Sequence, residues 1–369
     1  MPLLGCRYAR PGDRGRIECR SCGGPAGTAD WRRWPEGNVN MRRLKILLWH
    51  VHGSYLNVLG RVDQDWYLPV KAGHPDGYSG RAGYDLPASV RDVPADRVRD
   101  LDLDLVVFQT PQNYREDQYE ILSPEQRQLP QIYLEHNTPR PHPADTHHPV
   151  DDPTVLLVHV THYNELMWDN GRTPTVVVEH SVAIDPTARY TGHLERGITV
   201  VNGMQRRPRI AGYDLFLAAR EAVPLDAAGM QTEEFGGLGD ITYPLLHRRI
   251  ADYRFLFSPM RYTSLPLAVI EAMTVGLPIV ALATTELPTV IRNGETGYIS
   301  CRLDQLIERM RFLLANPAEA RRMGDQARRL AETRFGFDRF SRAWQAAFQR
   351  ALELRGRDAG PTGPDPDPP

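Results

Sequence analysis

The chain has 369 residues, more than one hydrophobic core usually organises, so length alone implies two domains. Lys and Arg total 44 against 46 Asp and Glu, leaving no long-range field to draw the chain to nucleic acid, and four cysteines are too few for a disulfide framework. No apolar run approaches the roughly 20 residues that cross a bilayer and no signal-type segment is visible, so a cytoplasmic protein is expected.

Residues 1–40 carry Gly, Pro and Arg without apolar periodicity and read as a disordered arm. Cys19-x-x-Cys22 with Cys6 lacks a fourth zinc ligand, since no His precedes His50. From Met41 onward, short β-rich runs alternate with helical patterns, the signature of parallel sheets with crossover helices. Strands are expected at Leu44–Val51, Leu105–Gln109, Gln131–Glu135, Val155–Val160 and Val176–His180 in a first domain, 41–185. A second domain, 186–337, is expected to hold strands at Ile198–Val201, Leu225–Gly229, Phe255–Ser258 and Pro278–Leu282, with the break near Ile184–Gly197. Leu303, Leu306, Ile307, Met310, Leu313 and Leu314 follow helical spacing and form one buried stripe, ended by Asn316-Pro317. Phe340, Trp344, Ala347, Phe348 and Leu352 repeat the pattern on a terminal helix over 338–357, which either stays with the second domain or crosses back to the first. Residues 358–369 read as a disordered tail. The fold class is α/β, with two Rossmann-like doubly wound domains facing a cleft.

Such sheets bind ligands at the carboxyl ends of their strands. At the first, His52-Gly53-Ser54-Tyr55 offers a close backbone approach at Gly53 or a plain tight turn, and no Gly-x-Gly-x-x-Gly follows. At the second, a strand ends in the polar loop Ser258–Pro266 and feeds a helix holding Glu271 among apolar neighbours. A carboxylate there needs donors, which ligand hydroxyls or a buried cation would supply. No Asp, Glu and His cluster has ligand-like spacing, so neither metal nor other cofactor is expected. His142, His147 and His148 read as a solvated loop, His159 and His162 as strand-end histidines, and Tyr243–Tyr253 as a helix with one charged face.

Leu265-Pro266-Leu267-Ala268-Val269-Ile270-Glu271-Ala272-Met273 with Gly276-Leu277-Pro278-Ile279-Val280 closely resembles the nucleotide-sugar signature of GT-B retaining glycosyltransferases of the family-4 type. Asn293-Gly294-Glu295-Thr296-Gly297-Tyr298 resembles that family's Asn-Gly-x-x-Gly turn, and Ile132–His136 resembles its strand ending in an active-site His. The resemblance runs from Met41 to Leu354 and is strongest in the C-terminal half.

The resemblance implies transfer of a sugar from a nucleotide-sugar donor to a glycan, lipid or small-molecule acceptor, with retention, without a metal and without nucleic acid. Peripheral membrane contact stays open. It places His136, Arg206 and Arg207 in catalytic roles. Gly53, Arg209, Thr263, Ser264, Leu265, Pro266, Leu267 and Glu271 fall at the donor. Thr263 stands where the family usually has a first Glu, eight residues before Glu271, and the arginines depart from the usual Arg and Lys order. A catalytically inactive GT-B subunit and a nucleotide-sugar epimerase on the same fold are the alternatives.

Overall fold

The computed structural model describes residues 42–358 except residue 244, so the expected arm, the Cys6, Cys19 and Cys22 cluster and most of the tail lie outside the described residues. Seven strands form the first sheet: β1 (Lys45–Leu48), β2 (Asp65–Val70), β3 (Val90–Pro94), β4 (Leu105–Phe108), β5 (Gln131–Glu135), β6 (Val155–His159) and β7 (Thr175–Val177). Their order is β3-β2-β1-β4-β5-β6-β7. The second sheet contains β8 (Leu194–Val200), β9 (Leu225–Ala228), β10 (Tyr253–Ser258), β11 (Ile279–Leu282) and β12 (Gly297–Ser300), in the order β12-β11-β10-β8-β9. Neighbouring strands are parallel in both sheets. Central strands such as Leu105-Val106-Val107-Phe108 and Ile279-Val280-Ala281-Leu282 are buried on both faces, which is why they read as unbroken apolar runs.

The helices are α1 (Gly53–Leu59), α2 (Gln118–Ile121), α3 (His162–Met167), α4 (Pro208–Ala211), α5 (Tyr213–Ala222), α6 (Leu245–Ile250), α7 (Leu267–Val275), α8 (Leu287–Val290), α9 (Leu303–Ala315), α10 (Pro317–Arg334) and α11 (Phe337–Asp358). Leu306, Met310 and Leu313 of α9 pack under the second sheet with Phe255, Phe257 and Val280. Although α11 follows the second domain, it lies on the first sheet: Phe340 meets Tyr55, Phe348 meets Trp66, and Trp344 Nε1 donates to Tyr55 Oη at 3.2 Å.

Strand order reverses between β1 and β4 in the first sheet and between β8 and β10 in the second, so each has a crevice at its carboxyl edge. These edges face each other. Ser54 Oγ, after β1, lies 3.4 Å from Tyr243 Oη, after β9. Tyr262 Oη, after β10, donates to Pro139 O, after β5, at 3.0 Å, and Tyr163 N, after β6, donates to Glu286 Oε2, after β11, at 2.8 Å.

Several strand expectations are corrected. β2 is absent from the expected strands; it is an internal strand although Pro69 within Asp65–Val70 removes a ladder donor. β3 is an edge strand with exposed Arg91 and Asp92, the charge pattern that blunts an edge and hides it from an apolar scan. β12 occupies the end of the Asn-Gly-x-x-Gly turn. β8 starts at Leu194, inside the expected break; Gly197 reads as punctuation, yet it is a glycine because a Cβ there would stand 2.2 Å from the Phe255 ring. Asp358 belongs to α11 and not to the tail.

Candidate active site

Around the first crevice four side chains from separate elements converge. Gln109, just after β4, donates from Nε2 to Trp49 O, just after β1, at 2.6 Å, bridging the two strands that flank the reversal. A carbonyl only accepts, so the amide nitrogen must face Trp49 and Oε1 must face away. Oε1 stands 2.9 Å from His136 Nε2, which therefore carries the proton. His136 follows β5 as the resemblance expects, and its ring packs edge-on against His52, 4.3 Å between centroids, and Tyr55, 4.8 Å. Burial, then the neighbouring His52 and His180, holds its pKa well below the ordinary histidine value. The ring is neutral near pH 7, with Nδ1 left as an acceptor.

His180, after β7, closes this wall against Tyr55 at 5.6 Å. It is buried, yet neither ring nitrogen has a hydrogen-bond partner among the described residues. Burial, Arg339 and His52 bring its pKa down to about 3. Gly53 opens α1, and a Cβ there would lie 2.3 Å from Tyr84 Oη, so a tyrosine already takes the space the glycine leaves.

Across the cleft, Glu271 lies on α7 and is 4% exposed. No cation reaches it among the described residues, which removes the buried ion pair. Its partner is Tyr243, whose hydroxyl donates to Oε1 at 2.5 Å. Burial raises the carboxyl to about 7 against the opposing effect of that hydrogen bond. The expected helix with one charged face over Tyr243–Tyr253 is thus corrected: α6 spans only Leu245–Ile250, His247 is buried and Tyr243 points at the site.

Leu265 belongs to the core of the second domain, Leu267 packs against that core and Pro266 precedes the first turn of α7. Ser264 Oγ is buried without a partner among the described residues, while its carbonyl accepts from Thr285 Oγ1 at 3.3 Å; the neighbouring Thr263 is half-buried. In the loop after β8, Arg206 folds over Gly203, and Arg207 reaches Asn202 O at 3.4 Å. Partial burial, then Arg140 and Arg206, lowers the Arg207 pKa, so three guanidiniums from both domains share this corner. Arg209 stands apart from them, held at 2.8 Å by Asp214, which also takes Arg261 at 2.6 Å.

The solvated-loop reading fails at His148, which is buried, accepts from Val150 N at 3.1 Å and donates to Glu135 Oε2 at 3.3 Å. His142 and His147 are exposed. Among the described residues no group of His, Cys, Asp and Glu is disposed to hold a metal, and no helix is long and apolar enough to cross a membrane. Gln109, His180, Tyr243 and Arg140 are absent from the expected site residues: His180 reads only as the end of a strand, Tyr243 only as the start of a charged helix, and no motif marks Gln109 or Arg140.

Two parallel Rossmann-like sheets with facing carboxyl edges define a GT-B fold. Residues 238–330 match the family described as glycosyl transferases group 1. The chain thus has the GT-B fold, and the segment that matches the group 1 family lies in its second domain. Sucrose-phosphate synthase from Thermosynechococcus elongatus superposes with a TM-score of 0.62 at 14% identity, covering 84% of this chain and 100% of that one. HepE from Anabaena, solved in complex with UDP, gives 0.63 at 11% identity over 84% and 100%. Spore coat protein SA from Bacillus subtilis (strain 168) is 34% identical over 83 residues, 22% of either chain, so the match reaches about a fifth of that relative's length.

Proposed function

We propose that the protein moves a sugar from a nucleotide-sugar to a hydroxyl-bearing acceptor with retention, the nucleotide resting on the second domain and the acceptor on the first. The observation that carries this is Glu271: a buried acid without a cation, aimed at the cleft from the helix that follows β10. A ligand carrying vicinal hydroxyls, as a nucleotide ribose does, gives that carboxylate donors beyond the single Tyr243 hydroxyl. The UDP bound in the HepE structure is in keeping with a nucleoside diphosphate as leaving group.

In the transfer, the bond between the anomeric carbon and the diphosphate oxygen breaks. The acceptor oxygen then bonds to that carbon on the same face, and its proton passes to the departing diphosphate. Negative charge grows on the diphosphate, and Arg206 and Arg207 lie after β8 where fixed positive charge stabilises it. Neutral His136 meets the sugar from the opposite wall, its Nδ1 accepting a hydroxyl. Thr263 leaves the donor sugar with a neutral hydroxyl in place of a carboxylate.

A thermal-shift panel of nucleoside diphosphates and their sugars tests the donor, since a ligand of the folded state raises its melting temperature. Glu271→Gln should weaken binding of the responding nucleotide by about 10- to 100-fold. Normal affinity in that variant would move the donor site elsewhere. The anomeric configuration of the product, read by NMR, decides retention.

A further inference from the structure

At the opposite edge of the first sheet, where β5 and β6 begin, lies a second cavity of about 390 Å³. It is separated from the cleft by the length of a strand, roughly 15 Å for five residues. Three arginines line it, each from a different element. Arg115 comes from the π-helical turn Asn113–Asp117, Arg127 from the 3-10 turn Gln126–Gln128, and Arg355 from the last turns of α11. π-Helical turns are rare and recur at functional sites.

Two of these guanidiniums are held in place by the protein. Arg355 donates from Nε to Gln128 O at 2.7 Å and from Nη1 to Thr154 Oγ1 at 3.4 Å. Arg127 donates to Leu122 O at 2.8 Å and stacks at 5.2 Å over the Tyr119 ring. The exposed Arg115 side chain makes no hydrogen bond or ion pair among the described residues, and its five donors are open. The single acid in the wall, Asp152, spends Oδ1 on Thr154 N and Oγ1, at 2.8 Å each. Three positive charges thus face one negative charge that is half engaged.

We propose that this cavity binds a phosphomonoester. A net surplus of two positive charges matches a dianion, which a phosphomonoester becomes near pH 7, with a second pKa of about 6. Guanidiniums take phosphate oxygens in pairs. The volume falls within the roughly 300–1,000 Å³ of small-molecule sites. Gln118, Gln131 and the Tyr114 hydroxyl supply neutral partners for hydroxyls on the ester's organic part. A free metabolite and a lipid headgroup share this chemistry.

The full chain is titrated with glycerol 3-phosphate by calorimetry, and in parallel sedimented with phosphatidylcholine vesicles with and without phosphatidic acid. Binding to either probe that falls about tenfold or more in both Arg115→Gln and Arg355→Gln, and persists in Arg207→Gln, supports the site and identifies its source as free or lipid-borne. Arg115→Gln removes no internal bond, so its fold is expected to match the parent, checked by melting temperature. Absence of binding to both probes overturns the proposal. So does binding that Arg207→Gln abolishes and Arg115→Gln leaves intact, which would return the phosphate to the cleft.

Discussion

Tyr243 donates its phenol to the buried carboxylate of Glu271 at 2.5 Å while its oxygen stands 3.4 Å from Ser54 in the other domain. The carboxyl sits in a setting that favours its neutral form, with a pKa raised to about 7 from the ordinary 4.5. A raised folded-state pKa gives stability that is fully present below the unfolded value and is lost as pH climbs through the folded one. Wild-type stability should therefore fall relative to Glu271→Gln between pH 4.5 and 7.5, by on the order of 3 kcal/mol. Parallel urea titrations of the two proteins across that range measure the difference. A constant difference would mean that Glu271 is already ionised at low pH.

Tyr243→Phe removes the hydroxyl that satisfies this carboxylate. The cost should be about 1–3 kcal/mol, larger at pH 8 than at pH 5, because the ionised form loses its donor. If a nucleotide hydroxyl takes the place of the phenol on binding, nucleotide affinity stays level or rises in this variant. A tenfold loss of affinity would make Tyr243 part of the nucleotide site instead.

Gln109 uses its amide nitrogen on Trp49 O and its oxygen on His136 Nε2, so any effect it has on turnover is expected to pass through His136. Gln109→Met keeps the volume but leaves Nε2 without its acceptor, so the imidazole is free to change tautomer. Turnover should fall about 10- to 100-fold with the nucleotide dissociation constant little changed. His136→Ala should show the same split, and a double variant no worse than His136→Ala would place the two residues in one chain of action. Unchanged turnover in Gln109→Met, with a normal melting temperature, would remove the residue from the mechanism.

An ion-pair cluster also ties the two domains where their carboxyl edges meet. Arg334 meets Glu179 of the first domain at 2.6 Å and Glu286 of the second at 3.5 Å, with Glu286 only 2% exposed. Arg334→Met strands two partly or fully buried carboxylates and should cost about 3 kcal/mol or more. Adding Glu179→Gln should recover part of the loss, as chemical denaturation of the single and double variants will show. Equal stability of Arg334→Met and wild type would mean that this contact is fully solvated.

Much of this architecture is legible in the residues alone. The apolar runs of β1, β4, β5 and β11 are buried on both faces, so their pattern depends on local composition and little else. Glu271 stands out because a carboxylate among Val269, Ile270, Ala272 and Met273 must find donors whatever surrounds it. His136 and the α7 segment carry a family pattern within a few consecutive residues.

The partners of those residues were settled only by the tertiary fold. Tyr243 lies 28 positions from Glu271 and Gln109 lies 27 from His136, each in a segment with no periodicity that names a target. His148 sits in a Pro-rich loop that reads as solvated, and only the docking of that loop onto β5 buries it against Glu135. Arg115, Arg127 and Arg355 are ordinary surface arginines in one dimension. They become one charged wall because α11 crosses back to the first sheet, and that crossing depends on where Phe340, Trp344 and Phe348 find aromatic partners. Periodicity specifies that a helix has an apolar face, but the sheet that receives the face is chosen by shape complementarity between distant segments.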